Sequence, residues 1–494
     1  MIKRQYQFTL CILLLSSMLI GSIPRDIPAQ TVPEGFSITA VSGPLDDDAT
    51  TFAVLPDDRI LVGNQFSGRV QVVVDGALSP EPIYTVPNLQ TSSEQGLLGI
   101  AVDPDFPDSN YVYLYHSLAT SVNRVSKYTI VGDLLDAGSD DLAIEAGSAQ
   151  MLLEFQDLRF NHNGGTLRFG SDKTLYVSHG DDADINLVQD LTNLFGAILR
   201  INRDGSVPSD NPSFDPSPAG ARGEIFAFGL RNPFRFAIDP ATDVLLVGDV
   251  GPSDVEEVNL AEGGENFGWP TFLGEDPFQS QIPLATSEHT EPIHSYHHTG
   301  GRASVMALVT YRQRDFPNDA SFPPEYDGVH FFADFYAGPL EYLRPNQDGG
   351  WTAVEFAQGF VRPVDATLAS DGGVYILEYG RAIRKIQYTG AGVDTERDPT
   401  IPGDRLNLGP SHPNPFDNET RFSYTLATPA DATVAVYDAL GRHIATLHEG
   451  FQRQGIHTFA WDRRDPRGML VPPGVYIYRV DTTESSRSRV MVVQ

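Results

Sequence analysis

Three short stretches of this 494-residue chain carry side chains suited to chemistry. The first is FNHNGGTLRFG, residues 160–170, where His162 stands between two carboxamides and ahead of Gly164 and Gly165. An imidazole with an ordinary pKa of about 6.5 is neutral near pH 7 and able to take a proton. Paired glycines let the backbone turn sharply and let a flat ligand approach closely. A loop histidine bonded to backbone carbonyls fits the same pattern, and the residues alone leave both readings open. The second stretch is GLRNP, which sets Arg231 beside Asn232 before Pro233. A fixed guanidinium can stabilise a developing oxyanion, but Arg-Asn-Pro is also an ordinary solvated turn. The third is GDVGPSDVEEVN, residues 248–259, where Asp254, Glu256 and Glu257 follow Gly251 and Pro252. Calcium takes roughly six to eight oxygens, backbone carbonyls included, while an acidic surface loop needs no metal at all. A fourth cluster, His289, His294, His297 and His298, has no spacing diagnostic of a metal site and reads as a solvated loop. No GxSxG, Walker, HExxH or cysteine-based motif occurs.

The elements that must position these groups are short strands. A turn rich in Asp, Pro or Gly followed by an alternating run recurs at 55–63, 103–116, 169–181, 237–251, 326–335 and 368–380. Such turns are common in any all-β protein, but six ordered copies predict one strand pair per blade of a six-bladed β-propeller spanning 30–390. Polar residues 391–409, with Gly and Pro, read as a linker. Residues 410–494 alternate about seven strands with turns and predict a small immunoglobulin-like β-sandwich. The fold class is therefore all-β.

Charge narrows the partners. Against 34 Lys and Arg stand 65 Asp and Glu, a net −31, so a phosphate backbone would be repelled and nucleic acid is excluded. Lys3 and Arg4 precede an apolar run from Phe8 to Ile23, too short for a membrane span and suited to a signal peptide over 1–29. The protein is expected to be exported, with no transmembrane segment in the mature chain. Cys11 is the only cysteine and lies inside that run, so stability must come from packing and not from disulfides.

Between Gln95 and Arg384 the sequence resembles the glucose/sorbosone dehydrogenase family, six-bladed propellers that include the soluble quinoprotein sugar dehydrogenases. QGLLGIAVDPDF (95–106), NHNGGTLRFGSDKTLYVSHGD (161–181), LFGAILRIN (194–202), EIFAFGLRNPFRFAID (224–239), GDVGPSDVEEVNLAEGGENFGWP (248–270) and RPVDATLASDGGVYIL (362–377) carry the likeness in family order. The resemblance implies oxidation of an aldose-type sugar at its anomeric hydroxyl, with pyrroloquinoline quinone and Ca2+ as cofactors and an external electron acceptor. It implies His162 as base and Arg231 as oxyanion donor. Asn232, Arg362 and Gln95 would contact the cofactor, and Asn161 and Glu94 the sugar. The carbonyls of Gly251 and Pro252 would ligate calcium, and Glu256 and Glu257 fall where the family has acidic ligands of a further calcium. Three positions depart from the glucose enzymes: Asn161 replaces an acid beside the histidine, Tyr336 a lysine, and Val364 a second arginine. Arg235, Arg302 and Arg312 are the candidates to compensate. The alternative is a non-redox, calcium-stabilised propeller binding glycan or protein at the cell surface.

The C-terminal segment resembles the type A sorting domain of the type IX secretion system through PNPF (413–416), VYDALGRHIATL (436–447) and GVYIYRV (474–480). That likeness implies the type IX secretion machinery as a partner, with release or surface attachment to follow.

Overall fold

Each of the six recurring turns lies between the two strands of a hairpin, and several close it tightly through residues that accept the left-handed backbone. Leu55 N–H donates to Arg59 O around Asp58 (φ 72°), Asp239 N–H to Val244 O around Asp243 (φ 59°), and Ala369 N–H to Gly373 O around Gly372 (φ 82°). The strands so paired are Ala49–Val54 with Ile60–Asn64, Leu97–Val102 with Tyr111–Leu118, Leu167–Phe169 with Leu175–His179, Arg235–Ile238 with Leu245–Asp249, Val305–Thr310 with His330–Asp334, and Pro363–Leu368 with Val374–Glu378.

The computed structural model describes residues 30–390, apart from 215–217, 253, 275, 280, 299–301, 314–320, 337 and 347. It also describes 406–493, apart from 413–415, 417, 419, 427–428, 439–441, 454, 465–466 and 483–485. The signal peptide assigned to 1–29 and most of the linker assigned to 391–409 lie outside the described residues. One compact unit ends at Thr389 and a second begins at Gly390.

In the first unit each hairpin forms the inner half of an antiparallel sheet of four or five strands. The first strands of the six sheets pack in a closed ring, with Pro363–Leu368 returning to Ala49–Val54. Strand Phe36–Ala40 pairs with Ala382–Tyr388 as the outer strand of the last sheet, so the two ends of the unit complete one sheet and no edge is left in the ring. Inner strands such as Leu245–Asp249 and Leu175–His179 are buried along their whole length, which explains their continuous apolar runs. Among the described residues the one helical element is a 3-10 turn, Pro324–Tyr326, and no helix is long and apolar enough to cross a membrane.

The hairpin turns occupy one end of every sheet. The opposite end receives each segment entering a first strand and each loop leaving a second strand. His162, Arg231, Asn232 and Glu94 are of the first kind; Asp181 and Gly251 are of the second.

The second unit packs strands Leu406–His412, Thr420–Leu426 and Gly455–Trp461 against His443–Gln452, Ala430–Asp438, Gly474–Thr482 and Ser486–Val493. Phe422, Trp461, Tyr478 and Met491 fill the space between the sheets. Its first strand begins inside the stretch assigned to the linker. Of the sorting-type motifs, PNPF is described only at Phe416, and residues 439–441 of VYDALGRHIATL lie outside the described residues.

Candidate active site

His162 sits at φ 62°, held by its own N–H donating to Glu94 Oε2 at 2.6 Å. Gly164 and Gly165 follow at φ 59° and 110°, and their lack of side chains serves backbone packing. A Cβ on Gly164 would stand 2.8 Å from Ser178 O, and one on Gly165 2.5 Å from Leu98 Cβ. The glycines thus let the turn lie against the neighbouring strands.

The imidazole is pinned at both nitrogens. Nδ1 lies 2.6 Å from Asp181 Oδ1 and Nε2 2.9 Å from Arg231 Nη2. A carboxylate accepts only, so Nδ1–H donates to Asp181 and Nε2 keeps a lone pair, here accepting from the guanidinium. Asp181 is buried and fixed in turn by Trp269 Nε1–H on Oδ2 at 2.9 Å and Ala183 N–H on Oδ1 at 2.8 Å. Sequence reasoning missed Asp181: it lies in the quoted HGD, but only the fold brings that loop to His162.

Arg231 is oriented from three sides. Its Nη1 donates to Val250 O (2.6 Å) and Gly251 O (3.0 Å), its Nη2 reaches His162, and its Cζ stands 5.8 Å from the Trp269 ring centre. Its backbone N–H and that of Asn232 both donate to buried Asp249. Burial, and then the nearby Glu257 across the strand pair, push the Asp249 carboxyl well above the usual carboxylate range. Asn232 is a bracket: Oδ1 accepts Gly164 N–H at 3.2 Å and Nδ2 donates to Glu94 Oε2 at 3.3 Å. Both ends of its amide already hold the site together.

The other expected site residues divide. Glu94 joins His162 and Asn232, and Asn161 lies beside them with Oδ1 accepting from Ser93 at 2.5 Å. Gln95 is 3% exposed and donates Nε2–H to Asp157 at 2.7 Å, so its amide faces the interior. Arg362 is exposed with its guanidinium 5.9 Å from the Phe335 ring centre. Glu256 and Glu257 point to opposite sides of strand Val255–Ala261, as neighbours on a strand must. Glu256 accepts from Val305 N–H and meets His298 at 2.8 Å, while Glu257 accepts from Gly274 N–H at 2.5 Å. Their side chains therefore do not form a joint metal site, and among the described residues no group of three or more His, Cys, Asp or Glu is placed to hold a metal.

Of the arginines expected to compensate, Arg235 and Arg312 are engaged elsewhere. Arg235 is 1% exposed and donates to Val364 O, Thr50 O and Thr166 Oγ1; burial lowers its pKa to about 10. Arg312 pairs with Asp239 beside the hairpin turn at the far end of the fourth sheet. Arg302 is exposed. Val364 is buried in the core, and Tyr336 is exposed and uncharged. The four histidines of the 289–298 cluster are dispersed: His289 stacks on Phe272, His294 lies near Phe332, His297 is exposed at the end of strand His294–His297, and His298 pairs with Glu256.

For a cation, the corner beneath Arg231 fits in kind. The Val250 and Gly251 carbonyls converge on one cationic nitrogen, and backbone oxygens of this sort also suit calcium. Of the two carbonyls expected to ligate calcium, that of Gly251 accepts from Arg231, alongside Val250 O. For an acidic quinone the positive groups at this end include Arg231, Arg302 and Arg362, and none of the described lysines is among them.

The family model described as glucose / sorbosone dehydrogenase matches residues 47–384, and the FlgD Ig-like domain model matches 412–486. The chain is 30% identical to the aldose sugar dehydrogenase YliI of Escherichia coli K12 over 225 residues, 45% of this chain and 59% of that one. It is 28% identical to quinoprotein glucose dehydrogenase B of Acinetobacter calcoaceticus over 244 residues, 44% and 49% of the two chains. It thus spans about half to three-fifths of these two relatives. The solved apo-form of the soluble aldose sugar dehydrogenase of Escherichia coli superposes with a TM-score of 0.59 at 22% identity, covering 72% of this chain and 99% of that one, a likeness of fold.

Proposed function

Because the chain belongs to the glucose/sorbosone dehydrogenase family, we propose that it oxidises an aldose-type sugar at the anomeric hydroxyl, with His162 as the base. The observation that carries this reading is the line Asp181–His162–Arg231, which presents a basic Nε2 beside a fixed cation.

Nε2 takes the proton of the anomeric hydroxyl, and Asp181 stabilises the imidazolium that forms. Arg231 Nη2 now occupies the place of that hydroxyl oxygen; when the sugar enters, its O–H donates to Nε2 and the guanidinium donates to the oxygen. Negative charge developing there meets a cation already oriented by Val250 and Gly251. Pyrroloquinoline quinone, when bound, supplies the acceptor for the hydride from the anomeric carbon, and the sugar leaves as its lactone. Arg231 and Arg362 are the groups that would pair with the cofactor's carboxylates, and the Val250 and Gly251 carbonyls would face Ca2+. An external acceptor would take up the two electrons.

The basic and apolar N-terminus supports export, and the C-terminal motifs, in a module matched by the FlgD Ig-like model, support delivery by type IX secretion to the outside or the cell surface. The test is to add Ca2+ and the quinone to the mature protein and follow dye reduction across an aldose panel. His162→Ala should abolish turnover and retain quinone affinity. Absence of quinone binding at micromolar concentration, with no turnover, would sink the redox reading. A second reading, a sugar-binding propeller without redox chemistry, is favoured by Tyr336 and buried Val364 standing where cations were expected. Sugar binding without turnover in the same experiment would select it.

A further inference from the structure

Two buried carboxyl groups that the proposed chemistry does not use, Asp157 and Asp182, lie next to the residues that hold His162. Asp157 Oδ2 accepts from Gln95 Nε2 at 2.7 Å, and Oδ1 accepts from Asn163 Nδ2 at 3.2 Å. Gln95 follows Glu94, which holds the His162 N–H, and Asn163 follows His162 itself. Asp182 follows Asp181, which holds Nδ1 of the imidazole. It accepts from the backbone N–H groups of Leu158 (3.0 Å) and Arg159 (2.9 Å), the two residues after Asp157. The three segments that set the imidazole, 94–95, 157–163 and 181–182, are thus cross-tied one residue away from it.

The polarity of this brace depends on the charge of Asp157. An ionised carboxylate accepts only, and both amides present N–H to it. Their oxygens, Gln95 Oε1 and Asn163 Oδ1, are buried without a partner among the described residues. A protonated carboxyl donates from one oxygen, and that hydrogen faces an amide N–H until the amide turns its oxygen inward. The exchange replaces charge-assisted bonds by neutral ones about half as strong. Burial raises the Asp157 carboxyl to about 6, so the carboxylate is present above that pH and the neutral acid below it.

The ionisable groups facing Asp157 are Asp182, whose charge opposes its ionisation, and Tyr115, which burial and these two charges keep protonated. The 94–95 and 163 segments face it with amides, and Ser121 O accepts its backbone N–H at 2.9 Å. Arg159, on its own segment, pairs with Asp184.

We propose that Asp157 is a positioning residue of the site: as a carboxylate it holds the His162 turn to the Glu94 loop, and on protonation it releases one of the two amides from that hold. The inference goes beyond the dehydrogenase reading, and only its kinetic arm rests on that reading.

Asp157→Asn keeps the side-chain shape and fixes the neutral state, since one amide can turn to meet it. In the full mature chain with Ca2+, quinone and an active aldose, the variant's kcat at about pH 8 should fall about five-fold with KM little changed. Below about pH 6 the parent's rate should drop with uptake of two protons, at His162 and Asp157, and the variant's with one. Without quinone, NMR of the His162 ring, identified by its loss in His162→Ala, should show a second inflection near about pH 6 in the parent and none in the variant. A variant that matches the parent in rate and slope at equal melting temperature overturns the proposal, as does an identical ring titration in the two proteins. A rate loss that keeps the two-proton slope overturns it too, because Asp157 would then serve the fold alone. If no aldose is oxidised, the dehydrogenase reading falls and the ring titration alone decides the role of Asp157.

Discussion

Asp181 Oδ1 stands 2.6 Å from His162 Nδ1, so the carboxylate that orients the imidazole comes from the loop leaving the hairpin's second strand. The residue next to the histidine in sequence, Asn161, has no part in it and faces Ser93. A buried carboxylate on Nδ1 fixes the tautomer and supports the charge that forms when Nε2 is protonated.

Asp181→Asn should therefore lower kcat by about a hundred-fold or more, because an amide can bond Nδ1 in the wrong tautomer and cannot balance an imidazolium. The acid limb of the pH–rate profile should move at the same time. Steady-state kinetics with an active aldose checks both; a loss in KM alone, with the profile unmoved, would mean that Asp181 only supports Trp269.

The backbone architecture was legible because turn chemistry is local: each Asp- or Gly-rich turn announced its own hairpin. His162 and Arg231 were legible as types of residue in a turn. Asp181 required register, which couples distant residues. Extending the Leu167–Val177 pairing five residues outward brings position 162 opposite 182, beside Asp181. That Glu256 and Glu257 face opposite sides follows from a rule that is also local, since strand neighbours point opposite ways. Arg235 failed on burial, which no motif reveals: its guanidinium ties the third, fourth and first sheets to Val364.

Arg231→Ala removes the cation beside Nε2 and should reduce kcat/KM by about 10²–10³. Arg231→Lys should recover only part of this, since one ammonium cannot reproduce a planar fork that reaches Val250, Gly251 and His162 together. Equal kinetics for the two variants would show that the fork's geometry is irrelevant.

Gly251→Ala tests the carbonyl corner. A Cβ there would lie 1.6 Å from Val255 O, a backbone atom that cannot step aside. The loop must open and draw Gly251 O away from Arg231, with an expected loss of about 1–3 kcal/mol. Any rise in melting temperature that Ca2+ gives the parent protein should shrink in the variant. Calorimetry with Ca2+ and with chelator measures both effects, and an unchanged Ca2+ response would remove this loop from the calcium reading.

Each buried neutral histidine should cost stability in acid. Burial pushes His116, His179 and His330 each down to about 4. The unfolded chain, with histidines near 6.5, then takes up protons first. The stability each contributes is complete above about pH 6.5 and is lost as pH falls toward 4. Asp157, raised to about 6 by burial, acts in the opposite sense between about pH 4 and 6, as do the other raised carboxyls, Asp58, Asp182, Asp249, Glu256, Glu257 and Glu341, so the histidine contribution is read from a single substitution. His179 lies between the rings of Phe155 (4.4 Å) and Phe195 (5.1 Å), so His179→Phe keeps the packing and removes the titration. Tyr115 O–H loses its contact with Nδ1 and keeps Asn163 O at 2.8 Å. Between pH 7 and pH 5 the parent should lose about 2 kcal/mol more stability than the variant, from a pKa near 4 against 6.5 at about 1.4 kcal/mol per unit. Urea unfolding at the two pH values measures the difference, and equal losses would show that His179 already accommodates its charge in the folded propeller.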